Sequence, residues 1–232
     1  MDYVNGSSDY LSANPGWHVE DSPWKASQII KMLKRKSLHP RSIVEIGCGA
    51  GEILNQLYER WDDKAVKLWG YDISADAYAF CKQREKDRLK FVHGDLLKTG
   101  ERFDVLLMID VFEHVEDYFD FIRKSARHAE YKIFHIPLDL SALAAMTGHL
   151  MKLRHSVGHI HHFSREMALN TLKDCGLEVV DWFYTLSELE LNYGRHNFNG
   201  KVVNSFRRAL YTVNPELAVK TVGGFSLLVL AK

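Results

Sequence analysis

The stretch Val44-Glu45-Ile46-Gly47-Cys48-Gly49-Ala50-Gly51 restricts what this chain can become more than any other. A short β-branched run, residues 42–46, ends at Gly47. A segment with Ile53, Leu54, Leu57, Tyr58 and Trp61 at helical spacing follows directly. A strand that turns through glycines into a helix opens a βαβ unit. Glycine lets the backbone turn sharply and approach a ligand closely, and the first helical turn offers unbonded N–H groups to it. A phosphate-binding P-loop would need Gly-Lys-Ser/Thr, which does not follow. A dinucleotide fingerprint would need glycine at its sixth position, where this chain has Glu52. A carboxylate there repels a pyrophosphate, so an NAD-dependent oxidoreductase is a disfavoured alternative.

The same rhythm continues along the chain. Residues 66–71, 89–93, 103–109 and 131–136 read as strands, with helices over 74–86 and 118–128 between them. Before them, Ser22 as N-cap and Pro23 open a helix that buries Ala26, Ile29, Ile30 and Leu33 on one face. Further on, residues 140–153 read as a helix, 155–163 as a loop, 164–176 as a helix, and 177–185 and 225–230 as strands. Strands alternating with helices predict an α/β fold, a Rossmann-like, mostly parallel sheet with helices on both faces. Residues 1–40 form an arm and helix expected to act as a lid. Residues 41–232 form the main domain, in which 186–224 are too long for an ordinary connection. That insertion, with a helix expected over 202–211, is read as a substrate cap.

Three carboxylates fall at the carboxyl ends of successive strands, where open α/β sheets bind their ligands. Asp72 lies 25 residues after Gly47 and can accept both hydroxyls of a ribose. Asp95 can take the amine of adenine, and Asp110 opens Asp110-Val111-Phe112-Glu113-His114 toward the same crevice. Adenine, ribose and a cationic amino-acid tail, without phosphate, satisfy this set.

With Gly70-Tyr71-Asp72-Ile73-Ser74 and His93-Gly94-Asp95-Leu96 added, these motifs resemble the class I S-adenosylmethionine-dependent methyltransferases. The resemblance covers about residues 40–185 plus the final strand, and is nearest to the small-molecule ubiquinone and menaquinone biosynthesis group. It implies a seven-stranded sheet whose last strand runs antiparallel beside the sixth. It also implies S-adenosylmethionine as cofactor and methyl transfer to an oxygen, nitrogen or carbon of a small molecule. Glu45, Gly47, Cys48, Gly49 and Gly51 would border its methionine part, with Asp110 and Val111 at the same crevice. Asp72 would meet the ribose and Asp95 the adenine, with Ile73, Gly94 and Leu96 also bordering the cofactor. Glu45 could equally cap its own loop. A cofactor-binding scaffold that has lost turnover is the alternative from another class.

His114 is the first candidate for substrate contact or general base, and His135 the second, since imidazole titrates near neutrality. His155, His159, His161 and His162 crowd one loop, but no cysteine or carboxylate stands at ligand spacing, so no metal is expected. One of them could line the substrate site. Trp17-His18 and Trp24-Lys25 could anchor the arm or close it over the crevice.

Thirty basic residues balance thirty acidic ones, which speaks against a dedicated nucleic-acid coat. Three scattered cysteines, no basic start and no long apolar run point to a reduced, cytoplasmic protein without a transmembrane segment. The balance is uneven. Residues 42–120 hold ten basic and seventeen acidic residues, a net of −7, whereas Arg195, Lys201, Arg207, Arg208 and Lys220 face only Glu216 across 192–220. The first suits a cationic cofactor; the second would draw an anionic substrate or a membrane surface.

Overall fold

A computed structural model describes residues 16, 19–191 and 198–232. Its centre is a seven-stranded sheet in the order β3-β2-β1-β4-β5-β7-β6. The strands are β1 (Ser42–Ile46), β2 (Lys67–Asp72), β3 (Leu89–His93), β4 (Phe103–Ile109), β5 (Ala129–Pro137), β6 (Val179–Thr185) and β7 (Ser226–Ala231). β1 to β5 pair in parallel, and β7 lies antiparallel between β5 and β6. The expected α/β architecture and its antiparallel last strand are both present.

Alternation along β4 shows why the sheet is central. Leu106 and Met108 pack into one hydrophobic cluster, and Val105, Leu107 and Ile109 into the cluster on the opposite face. A strand covered on both sides reads as a continuous apolar run, as 105–109 does. Helices α1 (Ser22–Arg35) and α2 (Glu52–Arg60) cover one face through Ala26, Ile29, Leu33, Leu54 and Leu57. On the same side, α3 (Ala75–Cys81) contributes Cys81. The other face is covered by α4 (Tyr118–Ala126) through Ile122, and by α7 (Arg165–Asp174) through Ala168 and Leu172.

Several boundaries differ from the sequence expectation. α1 begins with Ser22 inside it, and Asp21 occupies the N-cap position. The helix expected over 74–86 ends at Cys81 and continues as a tight turn, Lys82–Arg84. The helix expected over 140–153 is two helices, α5 (Ala142–Met146) and α6 (His149–Ser156), because Gly148 takes a left-handed conformation with φ 67°. Within 186–224 lie α8 (Ser187–Glu190), α9 (Phe198–Val213) and α10 (Pro215–Val222). Ala218 and Val219 of α10 are buried in the core, and Tyr211 stacks on Phe225 at 5.1 Å. Trp17, His18 and Arg195 lie outside the described residues. No helix among the described residues is long and apolar enough to cross a membrane.

Candidate active site

Strand order reverses between β1 and β4, so the connections leaving them pass to opposite faces and open a crevice at their carboxyl ends. A cavity of about 870 Å³ fills it. Gly47, Cys48 and Gly49 form one wall. Gly47 has φ 69°, and a Cβ there would stand 2.9 Å from the Val111 side chain, so only glycine lets the ends of β1 and β4 approach this closely. Gly51 does not line the cavity. It caps α2 at φ 74°, where a Cβ would come within 2.5 Å of Phe91, so its role is to set the loop's shape. A hydrogen bond with Cys81, with burial beside it, pushes the Cys48 thiol well up, which speaks against a nucleophilic role.

Asp72 ends β2 with its carboxylate already oriented. Oδ2 accepts from Gly49 N and Oδ1 from Ser74 N, both at 2.8 Å. Burial raises its pKa, and those two N–H groups oppose the rise. Beside it Ile73 presents an apolar side chain 46% exposed at the cavity edge. Across the crevice Asp95 Oδ1 accepts from Leu97 N at 3.0 Å, and Gly94 and Leu96 border the same wall.

At the end of β4 the backbone is strained. Asp110 has φ 53°, a left-handed conformation uncommon for a residue with a side chain. Two partners hold it: His135 Nδ1 at 2.6 Å and Lys25 Nζ at 2.8 Å. Burial opposes the Asp110 charge, but His135 and Lys25 outweigh it and keep the carboxyl far below the usual range. His135 Nε2 meets Thr185 Oγ1 at 2.9 Å, and Trp24 packs edge-on against the ring at 5.9 Å. Both His135 nitrogens are therefore engaged, which suits positioning of Asp110 and leaves neither nitrogen for a substrate proton. Glu45, 2% exposed, lines the cavity with no hydrogen-bond partner for Oε2 among the described residues. Burial pushes its carboxyl well up, although nearby Lys25 draws it the other way.

A second group follows Val111. His114 Nδ1 lies 3.0 Å from Gly158 O, and burial together with His159 pulls this imidazole down to about 4. Glu113 is 1% exposed, and neither carboxylate oxygen has a hydrogen-bond partner among the described residues. Burial and the Asp110 charge push its carboxyl up to about 8. His159 Nδ1 contacts Asp139 Oδ2 at 2.6 Å, and His162 Nδ1 contacts the same oxygen at 3.2 Å. Burial works against a charged His159, but Asp139 and Glu113 raise its pKa above the ordinary value. Beyond this group the cavity continues under Leu143, Ala144 and Leu153 to Arg207, which is 5% exposed.

Residues 20–181 match the family model described as a methyltransferase domain. The chain belongs to the methyltransferase-domain family. A curated relative, trans-aconitate 2-methyltransferase of Rhodopseudomonas palustris (strain BisB5), is 29% identical over 115 residues. That match spans 44% of this chain and 44%, less than half, of the relative. The fold is similar to that of a magnesium protoporphyrin IX methyltransferase from Synechocystis PCC 6803, solved with S-adenosylhomocysteine. The TM-score is 0.59 and the identity 14%, over 100% of this chain and 87% of that one. It is also similar to a cyclopropane synthase from Mycobacterium tuberculosis, with TM-score 0.61 and 16% identity over 99% and 96% of the two chains.

The residues that line the cavity fit S-adenosylmethionine. An orphaned Glu45 oxygen beside the glycine loop suits an ammonium, Asp72 retains lone pairs for hydroxyls, and Ile73 offers an apolar surface to a flat base. A dinucleotide fits less well. The Glu52 carboxylate, held by Arg84 at 2.7 Å, lines the cavity at the start of α2, where a pyrophosphate would approach. Sequence reasoning named Lys25 only as an anchor or closure of the arm, and missed Glu113, Asp139 and Thr185 as members of the site. Only Glu113 carried a local signal, by standing next to His114.

Proposed function

We propose that this chain transfers a methyl group from S-adenosylmethionine to an oxygen, nitrogen or carbon nucleophile of a small, anionic molecule. The observation that carries this reading is one continuous cavity that runs from Glu45, Asp72 and Asp95 past Asp110 and His114 to Arg207. Its acidic end suits a sulfonium and an ammonium, and at its other end the Arg207 guanidinium, held by Glu188 at 3.7 Å, Asn204 Oδ1 at 2.9 Å and Val222 O at 3.3 Å, would exchange part of that pairing for a carboxylate or phosphate. The trans-aconitate relative acts, by its name, on a carboxylate anion. A concave cleft of this size also favours a small molecule over nucleic acid.

In this reading Gly47, Cys48, Gly49 and Glu45 seat the amino-acid part, while Asp72, Ile73, Gly94, Asp95 and Leu96 hold the nucleoside. Gly51 shapes the loop, Asp110 and Val111 close the crevice, and His135 holds Asp110 in place. His114 meets the acceptor. The bound cofactor supplies an activated methyl on a positive sulfur. The protein orients the acceptor and excludes water from it. The insertion 186–224 serves as substrate cap through Arg207, and α1 forms the wall beside Asp110 through Lys25. Three free cysteines fit a reducing, cytoplasmic setting.

Calorimetric titration with S-adenosylhomocysteine tests this. The wild type should bind it and Asp72→Ala should bind it at least tenfold more weakly, which is about 1.4 kcal/mol. No binding by the wild type overturns the proposal. Binding without methyl transfer to any acceptor in a cell extract favours the scaffold reading.

A further inference from the structure

We infer that Glu113, His114 and His159 form a binding site for a divalent transition-metal ion, of the Zn²⁺ or Mn²⁺ kind, on the acceptor side of the cavity. One ligand atom from each of the three lies within 4.8 Å of the others. Ligands around a tetrahedral ion stand roughly 3.3 Å apart for bonds of about 2.0–2.1 Å, so modest side-chain rotation closes the set. Loop spacing alone conceals it, because the carboxylate and one imidazole come from the turn after β4 and the other imidazole from the loop after α6.

Three observations support the assignment independently. The Glu113 carboxylate is almost completely out of water and neither oxygen has a hydrogen-bond partner among the described residues. A buried carboxylate without donors is costly unless a cation meets it. Each imidazole is oriented through Nδ1, His114 by Gly158 O at 3.0 Å and His159 by Asp139 at 2.6 Å. That is how metal-binding histidines are held: the second ring nitrogen donates to a carbonyl or carboxylate and turns Nε2 to the ion. The two ring centroids stand only 4.9 Å apart, so both imidazoles border the same region. Asp139, His159 and His162 are also close together, but there both imidazoles are already bonded to one Asp139 oxygen. Asp139 is therefore the orienting carboxylate and Glu113 the ligand.

His114 and His159 both line the cavity, so an open coordination position faces the acceptor. Two histidines and one carboxylate with open positions suit a borderline divalent ion. A hydroxyl or enol oxygen bound there releases its proton to water. Its lone pair then forms the new C–O bond while the S–CH₃ pair returns to sulfur. This catalytic role rests on the proposed methyl transfer; metal binding does not.

The test is equilibrium dialysis of chelator-stripped protein against Zn²⁺ or Mn²⁺ with metal analysis, and Co²⁺ substitution read by its visible absorption. The wild type should retain one ion per chain. Glu113→Gln and His159→Ala should abolish retention, and Asp139→Asn should weaken it by roughly 10- to 100-fold. His162→Ala and His155→Ala should leave it unchanged. No stoichiometric ion on the wild type overturns the inference, as does full retention by Glu113→Gln. A loss in His162→Ala equal to that in His159→Ala moves the site to Asp139 and overturns this ligand set. Should Glu113→Gln fail to fold, absence of Co²⁺ bands in the wild type is decisive by itself. Dialysis runs without cofactor, so loss of S-adenosylhomocysteine binding would count against the methyl-transfer reading and not against the metal.

Discussion

Lys25→Met removes an ammonium that stands 2.8 Å from Asp110, with the two side chains only 13% and 22% exposed. Breaking a buried pair from one side costs about 3–5 kcal/mol, because the remaining charge is left uncompensated. Here Asp110 keeps its 2.6 Å contact with His135 and some solvent access, so the loss should be about 2–3 kcal/mol. For a chain of this length that lowers Tm by roughly 4–12 °C. The pH dependence carries a separate signature. The folded Asp110 carboxyl sits below its ordinary 3.8, so its contribution is present above that pH and fades as pH falls through the folded value. Burial works against the Lys25 charge, yet Asp110 more than offsets it and holds the ammonium above 10.5. Its contribution is therefore complete below 10.5 and fades as pH rises beyond the folded value. The gap between wild type and variant should be flat from about pH 4 to pH 10 and narrow on both sides. Thermal melts followed by circular dichroism across that range measure it. A Tm loss under about 2 °C at pH 7, or a gap that persists undiminished at strongly acid pH, would refute the reasoning.

Other substitutions probe the rest of the site. A Cβ at Gly70 would meet Phe91 at 2.6 Å and Cys48 at 2.8 Å, so Gly70→Ala should cost about 1–3 kcal/mol in chemical denaturation and weaken S-adenosylhomocysteine binding with it. Arg207 lines the cavity whereas Arg208 is exposed outside it. Arg207→Gln should therefore raise KM for the anionic acceptor by about 10- to 100-fold, from the loss of a charged hydrogen bond. Arg208→Glu should leave KM unchanged, and equal effects of the two would contradict the assignment. In metal-stripped protein, the Glu113 carboxyl is raised from 4.5 to about 8. Its contribution is complete below pH 4.5 and is lost as pH climbs through 8, and Glu113→Gln should remove that decline from the stability profile.

The parts of the site legible in the sequence are those built within a single strand–turn–helix unit. Gly47, Gly49 and Asp72 follow strands whose apolar period marks where each one ends, so their common edge could be read from spacing alone. His114 was visible for the same reason. His135 was placed correctly at the end of its strand, but spacing cannot show that Asp110 and Thr185 occupy both of its nitrogens. Arg207 was noticed only as one member of a basic stretch. The fold separates it, buried at the cavity, from its exposed neighbour Arg208.

Local periodicity and turn chemistry determined the alternation, the parallel sheet and the glycine loop, because each depends on residues within a few positions of one another. Charge segregation told the same story at low resolution, placing the acidic excess over residues 42–120. The tertiary structure alone decided which charges meet. Lys25 reaches Asp110 because the buried face of α1 docks its first turn over the end of β4. Glu113 and His114 reach His159 because the loop after α6 returns to the β4 turn, where Ile160 N and His161 N both donate to Glu113 O. Contacts across that sequence distance are set by how whole elements pack, and no pattern within one element encodes them.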